Sequence, residues 1–264
     1  MATGCFSAAS ADRIARPIIS CMSTAGTSRP RRKRSRPSWV MFGFARRSRR
    51  PATRRRAEQC KKLWDACSLV KVGDFVDRYL ASRAVNQETY PRSVRKHESI
   101  EHKTEDGVRS WHPAMVAKVI APDGTPTNLH RTYLALAGEK AAVDPVRKTM
   151  WGTIAPGSAI RLFEPGPVMG IAEGIETAFA ASDLFRIPVW AAINSTLLSS
   201  WRPPEGTHQV FVFGDNDPKL GGQAAAHALG HKLACRGLSV EIKIPPVVGQ
   251  DWNDVLMKRS WSAA

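Results

Sequence analysis

Short apolar runs that end in carboxylates dominate the second half of the chain. One run occupies residues 167–172 and ends at Glu173, and another occupies residues 209–213 and is soon followed by Asp215 and Asp217. Alanine-rich stretches with helical composition follow both runs. This alternation is typical of βαβ units in a parallel sheet, where ligands bind beyond the carboxyl ends of the strands. We therefore expect the three carboxylates to meet at one edge of a sheet.

The same pattern predicts four parallel strands between helices for residues 166–264. The expected strands are 167–172, 189–193, 209–213 and 239–244, and the expected helices are 175–185, 195–201, 222–236 and 251–261. Small residues at 224–226 suit close packing of the third helix on the sheet, and Gly237 fits its C-terminal cap. The predicted fold of this region is α/β, with a four-stranded parallel sheet flanked by helices.

Residues 57–165 predict a small α+β module in front of that sheet. The expected elements are helices at 57–69 and 72–80, loops with short strands at 84–110, and a hairpin of strands 114–120 and 128–134 joined by a tight turn at 122–125. Helical spacing predicts an apolar inner face on the second helix, formed by Phe75, Val76, Tyr79 and Leu80.

The formal charge of +16 is concentrated in residues 1–56. That segment holds 15 Lys and Arg against the single acid Asp12, whereas the rest of the chain holds 24 basic and 22 acidic residues. Because it is rich in Arg, Pro and Ser and has almost no periodic apolar residues, it is predicted to be a disordered tail. Such an arm would bind nucleic acid through phosphate contacts. An extension from an upstream start codon is the equal alternative, and both interpretations stay open.

The predicted cluster of Glu173, Asp215 and Asp217 indicates a metal site. Three carboxylates at one edge repel one another and raise one another's pKa unless a cation lies between them. Ligand sets made only of oxygen suit Mg²⁺ or Mn²⁺, which keep their remaining positions for water or substrate phosphates. The cluster therefore points to phosphate chemistry.

Four spaced motifs resemble the Toprim domain shared by bacterial primases, topoisomerases and some nucleases. They read Glu173-Gly-Ile-Glu-Thr-Ala178, Pro188-Val-Trp-Ala-Ala192, Asp215-Asn-Asp217 and Asp251-Trp-Asn-Asp254. They look most like the branch found in phage and plasmid primase/helicase proteins, and the resemblance covers roughly residues 57–264, including the small domain that precedes Toprim in that branch. The resemblance implies a Toprim-like fold in which Glu173, Asp215 and Asp217 are catalytic and bind the metal.

Further residues are candidates for supporting roles. Glu176 lies three positions after Glu173 on nearly the same helix face, although the broader Toprim pattern has its acid at the next position, here Thr177. The candidates for supporting the first metal ion or holding a second one are Glu176, Asp251 and Asp254. Asp251 is equally suited to cap the last helix. The candidates for a nucleic-acid path or a phosphate contact are Arg131, Lys140, Arg147, Lys148, Arg161 and Lys219.

The sequence lacks the features expected of a zinc ribbon, a membrane span and a helicase. The five cysteines include no CxxC pair, so no zinc ribbon is expected. No stretch approaches the roughly 20 apolar residues of a membrane span, and we expect a cytoplasmic protein without membrane contact. The sequence has no Walker A motif, so helicase activity, where required, is expected from a separate partner.

The function that these observations favour is metal-dependent phosphoryl transfer on nucleic acid, as in a DNA primase-type nucleotidyltransferase of phage or plasmid replication. Mg²⁺ or Mn²⁺ is the expected cofactor, and a single-stranded DNA template and nucleoside triphosphates are the expected partners. A Toprim-type nuclease and a noncatalytic DNA-binding replication accessory are the alternatives. A phosphatase with Asp215 as nucleophile is disfavoured, because Pro218 and Lys219 stand where Thr or Val is expected.

Overall fold

The structure, a computed structural model, describes residues 51–262 and the side chains of residues 55–262. Residues 1–50, most of the segment predicted to be disordered, lie outside the described residues. The described helices are α1 (Pro51–Asp65), α2 (Phe75–Ala81), α3 (Ile175–Phe185), α4 (Ser195–Ser200), α5 (Gly221–Ala234) and α6 (Trp252–Ser262). The described strands are β1 (Ser68–Leu69), β2 (Val94–Lys103), β3 (Arg109–Ile120), β4 (Pro126–Tyr133), β5 (Arg147–Thr149), β6 (Ala159–Ile160), β7 (Val168–Ala172), β8 (Val189–Ala191), β9 (Gln209–Phe213) and β10 (Ser239–Lys243). Every helix in this range is too short or too polar to cross a bilayer.

The strands of the described range form one sheet. Its main path runs β1-β2-β3-β6-β8-β7-β9-β10, with β4 and then β5 branching from β3. The last four strands of the chain pair in parallel, which confirms the predicted parallel sheet. Strand β6 pairs antiparallel with both β3 and β8, so the α+β module and the α/β region share a continuous sheet. The sequence did not predict this connection, because β6 is only two residues long.

Helices cover both faces of the parallel strands. Phe179 of α3 belongs to the apolar cluster on one face, and Leu229 of α5 belongs to the cluster on the other. The alanine-rich composition of these helices allows them to approach the sheet closely. The predicted elements of the α/β region are confirmed, with shifts of one or two residues at their ends.

The α+β module confirms the second helix and corrects the first. The four residues predicted on the inner face of α2 are buried, and Asp74 caps the helix by accepting hydrogen bonds from the backbone N–H groups of Val76 and Asp77 at 3.0 and 3.1 Å. Helix α1 begins at Pro51, inside the segment assigned to the tail, because proline at the first helical position sacrifices no intrahelical hydrogen bond. It ends at Asp65, so the prediction that it continues to residue 69 is wrong.

The expectation of loops with short strands at residues 84–110 is also wrong. Strand β2 is ten residues long and pairs along its length with β3. A bulge between His97 and Ile100 shifts the register by one residue and breaks the alternation of buried and exposed positions. Only Val94, Ile100 and His102 of this strand are buried, so most of its residues are polar.

Close packing of α5 fixes the backbone that carries Asp215. A Cβ atom added at Gly222 would lie 2.6 Å from the carbonyl oxygen and 2.9 Å from the backbone nitrogen of Asp215. At the neighbouring Gly221, the nearest atom would be Asp217 Oδ2 at 3.4 Å, an ordinary contact. Sterics therefore require a glycine at position 222 but not at position 221.

We predict that Gly222→Ala lowers the free energy of unfolding by about 1–3 kcal/mol, because backbone atoms cannot yield as a flexible side chain does. Gly221→Ala is the matched control in the same helical turn, and we expect it to be neutral or slightly stabilising. Urea denaturation of both variants measures the difference. Equal stability of the two variants would contradict the close approach of α5 to Asp215.

Candidate active site

The carboxylates predicted to meet lie at the carboxyl ends of adjacent parallel strands. Ala172 of β7 and Phe213 of β9 are register partners, so the residues that follow them emerge at the same level of the sheet. Glu173 and Asp215 both line a cleft of about 160 Å³, and Asp251, which precedes α6, lines it as well. Asp217 lies beside this group, and its charge acts on both Glu173 and Asp215.

Asp215 is the most perturbed of these acids. Burial, followed by the charges of Asp251, Glu173, Asp217 and Asp254, raises its pKa to about 7. Its Oδ1 atom is buried and has no hydrogen-bond partner among residues 51–262. A buried polar atom without a partner costs free energy, so this oxygen is available for a ligand.

The surroundings of Glu173 shift the pKa of its side chain in both directions and fix its backbone. Burial and then the charge of Asp217 raise its pKa, while the backbone N–H of Ser195 at the start of α4 and the charge of Arg147 lower it. Its own carbonyl oxygen accepts a hydrogen bond from the Ile193 backbone N–H at 2.7 Å. Ile193 has φ +80°, a conformation that a β-branched residue adopts only under strain. The strained residue lines the cleft beside the carboxylate.

Asp217, Asp251 and Asp254 also have structural roles. Asp217 Oδ2 accepts a hydrogen bond from the Gly222 backbone N–H at 2.8 Å in the first turn of α5. Asp251 Oδ1 accepts from the Asp254 backbone N–H at 2.8 Å, and Asp254 Oδ2 accepts from the Asp251 backbone N–H at 3.1 Å. This reciprocal arrangement is that of a capping box at the start of α6.

Glu176 is buried and fully engaged by the α+β module. Its Oε1 atom accepts hydrogen bonds from the Tyr79 hydroxyl at 2.5 Å and from Arg147 Nη2 at 2.9 Å. Burial alone would raise its pKa, but the Arg147 guanidinium and the Tyr79 hydroxyl outweigh burial and hold the pKa at about 2. Glu176 is therefore ionised and connects α3 to both α2 and β5.

The α+β module gives the cleft a basic lining, of which the sequence predicted Lys140 and Arg147 but not Arg83 or His130. All four residues line the cleft. Burial and then the charges of Arg147 and Arg83 lower the pKa of Lys140, while the charges of two nearby carboxylates raise it. Burial lowers the pKa of His130 to about 4, so its imidazole is neutral at pH 7. No spacing pattern signals Arg83 or His130, because they come from separate segments.

Comparison with known protein families agrees with this geometry. Residues 54–162 match a family described as a domain of unknown function (DUF7146), and residues 168–261 match the Toprim domain. The chain contains a Toprim domain. The predicted resemblance to this domain is thereby confirmed, and a second family matches the residues directly in front of it. A search of curated protein sequences finds no match.

One solved primase structure shares the fold of this Toprim-containing chain, and two others are less similar to it. The DnaG primase catalytic domain bound to single-stranded DNA aligns with a TM-score of 0.52 at 13% identity, over 80% of this chain and 81% of that one. The Aquifex aeolicus primase aligns at 0.48 and 15% identity, over 80% of this chain and 58% of that one. A DNA primase domain from Pseudomonas aeruginosa aligns at 0.41 and 14% identity, over 62% of this chain and 54% of that one. The chain thus spans only about half the length of the last two structures, and these identities show the fold alone.

The predicted basic residues do not all reach the Toprim cleft. Arg147 lines it, whereas Arg131 and Lys148 do not. Lys219 is exposed in the turn before α5 and lies outside the cleft lining. Arg161 stacks on Trp190 and donates to the carbonyl oxygen of Ala121. A continuous path through all of these residues is therefore not what the structure shows.

The donor set of the Toprim acids fits a hard divalent cation. Asp215 offers a buried oxygen without a partner, and the neighbouring carboxylates would be relieved of mutual repulsion by a cation. Within residues 51–262, no three His, Cys, Asp or Glu side chains are grouped closely enough to form a ready metal site. Binding would therefore require rotation of these side chains toward a shared ion.

Proposed function

We propose that this Toprim protein is a metal-dependent nucleotidyltransferase of the DNA primase type. The observation that carries the proposal is the mixed lining of the cleft, in which the acidic residues Glu173, Asp215 and Asp251 come from the α/β region and the basic residues Arg83, Lys140 and Arg147 come from the α+β module. A site for a metal-bound nucleoside triphosphate needs both, because the ion requires carboxylates and the phosphate chain requires cations.

The acidic residues of the cleft would bind the ion and accept the proton. Asp215 and Asp217, with Glu173 nearby, would bind Mg²⁺ or Mn²⁺, which supplies charge stabilisation on phosphate oxygens when bound. Glu173, with its raised pKa, would accept the proton of the attacking 3′ hydroxyl. Asp251 and Asp254 would support this group of acidic residues through the cap of α6.

The basic lining favours nucleotide transfer over strand cleavage. A triphosphate carries up to about four negative charges, which Arg83, Lys140 and a divalent ion would balance. Arg147 is already paired with Glu176, which orients its guanidinium as a further donor to phosphate. A nuclease acts on a phosphodiester with a single negative charge and needs fewer cations, so this lining suits a triphosphate better.

The remaining partners follow from this assignment. We propose single-stranded DNA as template, nucleoside triphosphates as substrates and a separate helicase as a partner in replication. The fold shared with the DnaG catalytic domain bound to single-stranded DNA supports the proposal. Phage or plasmid replication is the proposed setting, on the strength of the branch that the four motifs resemble.

The test is primer synthesis by the Glu173→Gln variant. The full chain, incubated with single-stranded DNA, ribonucleotides and Mg²⁺ or Mn²⁺, is expected to yield labelled oligonucleotides, and the variant is expected to yield at least about tenfold less. Glu205→Gln, an exposed turn position, is the matched control and should synthesise normally. Cleavage of the template without synthesis would identify a nuclease instead. DNA binding without either product would identify a noncatalytic accessory.

A further inference from the structure

Strand β5 presents its two basic residues to opposite sides of the sheet. Arg147 pairs in register with Thr132 and lies on the side of the cleft, where it meets Glu176. Lys148 is the next residue and pairs with Arg131 of β4. Since side chains alternate along a strand, Lys148 and Arg131 share the other side. The chain therefore has a second basic surface that does not belong to the cleft.

Carboxylates of the described residues do not neutralise the two cations of this second surface. Lys148 and Arg131 are directly opposite each other across two strands, an arrangement of like charges that destabilises a sheet. Lys148 Nζ donates to the Lys103 carbonyl oxygen, and Arg131 Nη2 donates to the Thr149 carbonyl oxygen at 3.0 Å. Neither residue forms an ion pair with a carboxylate within the described part of the chain. Both side chains are partly exposed, so the exposed part of each cation is open to an anion.

An exposed tryptophan lies close to these cations along the chain. Trp151 is 54% exposed and comes two positions after Thr149, the residue whose carbonyl oxygen Arg131 Nη2 contacts. The guanidinium of Arg56 on α1 lies 4.4 Å from its ring centroid, and Gln59 accepts a hydrogen bond from its Nε1 at 3.0 Å. These two contacts from α1 fix the orientation of the indole while leaving much of it in solvent. An exposed aromatic ring held in place by an arginine is a platform on which a base can stack.

We propose that the surface formed by Arg56, Arg131, Lys148 and Trp151 binds single-stranded nucleic acid outside the cleft. Unpaired bases would stack on Trp151, and the phosphates between them would contact the three cations. A duplex does not offer its base faces, so single strands are the fitting partner. This proposal rests on the proposed function in that the ligand is its template, but the binding itself requires neither metal nor nucleotide.

The sequence adds to the charge argument. Helix α1, which contributes Arg56, directly follows the Arg-rich segment, and residues 1–56 hold 15 basic residues against one acid. A polyanion matches this charge, and the exposed indole of Trp151 favours a single strand, whose bases are free to stack. Stacking on Trp151 would add a component that salt does not screen, whereas phosphate contacts weaken steeply with salt.

The test is fluorescence anisotropy with a labelled oligo(dT) single strand and the full chain, in EDTA and at about 200 mM salt to suppress contacts made by charge alone. Trp151→Ala is expected to weaken binding about tenfold, and Trp151→Phe is expected to retain most of it, because phenylalanine can still stack. Trp261→Ala is the matched control, since this residue of α6 is 73% exposed. It should bind like the unmodified protein.

A second arm uses a labelled duplex of the same length, for which Trp151→Ala should change affinity less than twofold. Unchanged single-strand affinity in Trp151→Ala, or an equal loss in the Trp261→Ala control, would overturn the proposal. A protein that binds oligo(dT) through Trp151 and makes no primers would refute the proposed function alone. A protein that makes primers with unchanged affinity in Trp151→Ala would refute this surface alone.

Discussion

Replacing Arg147 with methionine is expected to lower the free energy of unfolding by about 2–3 kcal/mol at pH 7, less than the roughly 3–5 kcal/mol of a fully buried ion pair, because Arg147 is 42% exposed and solvent screens part of its charge. The side chain of Glu176 is only 6% exposed, and Arg147 Nη2 contacts its Oε1 atom at 2.9 Å. Methionine keeps much of the aliphatic volume of arginine but no charge. The Tyr79 hydroxyl alone would then have to stabilise a carboxylate inside the protein.

The pH dependence of this variant should have the opposite sign to that of the unmodified protein. The pKa of Glu176 is about 2 in the folded state, below the ordinary value of 4.5, so its stabilising contribution is present above pH 4.5 and is lost as the pH falls toward 2. Without Arg147, burial dominates and raises the pKa of Glu176. Lowering the pH from 7 to 5 should therefore recover part of the stability of Arg147→Met.

Two further variants serve as controls for the Arg147 measurement. Glu176→Gln should cost less than Arg147→Met, because glutamine can still accept from Tyr79 and Arg147 is 42% exposed and can be hydrated. Arg186→Met breaks an exposed pair with Asp183 on α3 and should change stability by less than about 0.5 kcal/mol. Urea denaturation at pH 5 and pH 7 measures all three. A loss for Arg147→Met no larger than that for Arg186→Met would contradict a buried pair.

The sequence was most informative where local and tertiary signals agree. The strands that precede Glu173 and Asp215 are short apolar runs, and a strand buried on both faces has no other composition. Because the two acids follow the ends of adjacent strands, the sheet brings them together, and local sequence signals are enough to predict this. Strand β2 shows the opposite case, because the bulge at His97 and its exposed polar residues remove the alternation that identifies a strand.

The basic lining was only partly predictable. Lys140 and Arg147 were candidates for a phosphate contact, whereas Arg83 follows α2 and His130 lies in β4, so only the folded α+β module shows that these two reach the cleft. The separation of Arg147 from Lys148 was predictable in principle. Adjacent residues in a strand point to opposite faces, and assigning β5 as a strand would have divided the proposed nucleic-acid path.

Replacing Asp215 with asparagine is expected to reduce metal-dependent primer synthesis about 100-fold or more, since a bound ion contributes several kcal/mol to charge stabilisation. The same change should stabilise the metal-free protein at pH 8. The pKa of Asp215 is about 7 in the folded state, above its ordinary 3.8, so its contribution to stability is full below pH 3.8 and is lost as the pH rises through 7. Asparagine removes the charge that Asp251 and Glu173 repel.

These two expectations are tied to each other through the ion. In EDTA, the Asp215→Asn variant should exceed the unmodified protein by about 1–2 kcal/mol at pH 8, with the difference vanishing near pH 4. Mg²⁺ or Mn²⁺ should raise the melting temperature of the unmodified protein and leave that of the variant unchanged. Asp183→Asn, an exposed position on α3, is the matched control and should respond to metal normally. Equal metal-induced stabilisation of Asp215→Asn and the control would show that the ion binds elsewhere, because an amide cannot replace the charge of a carboxylate ligand.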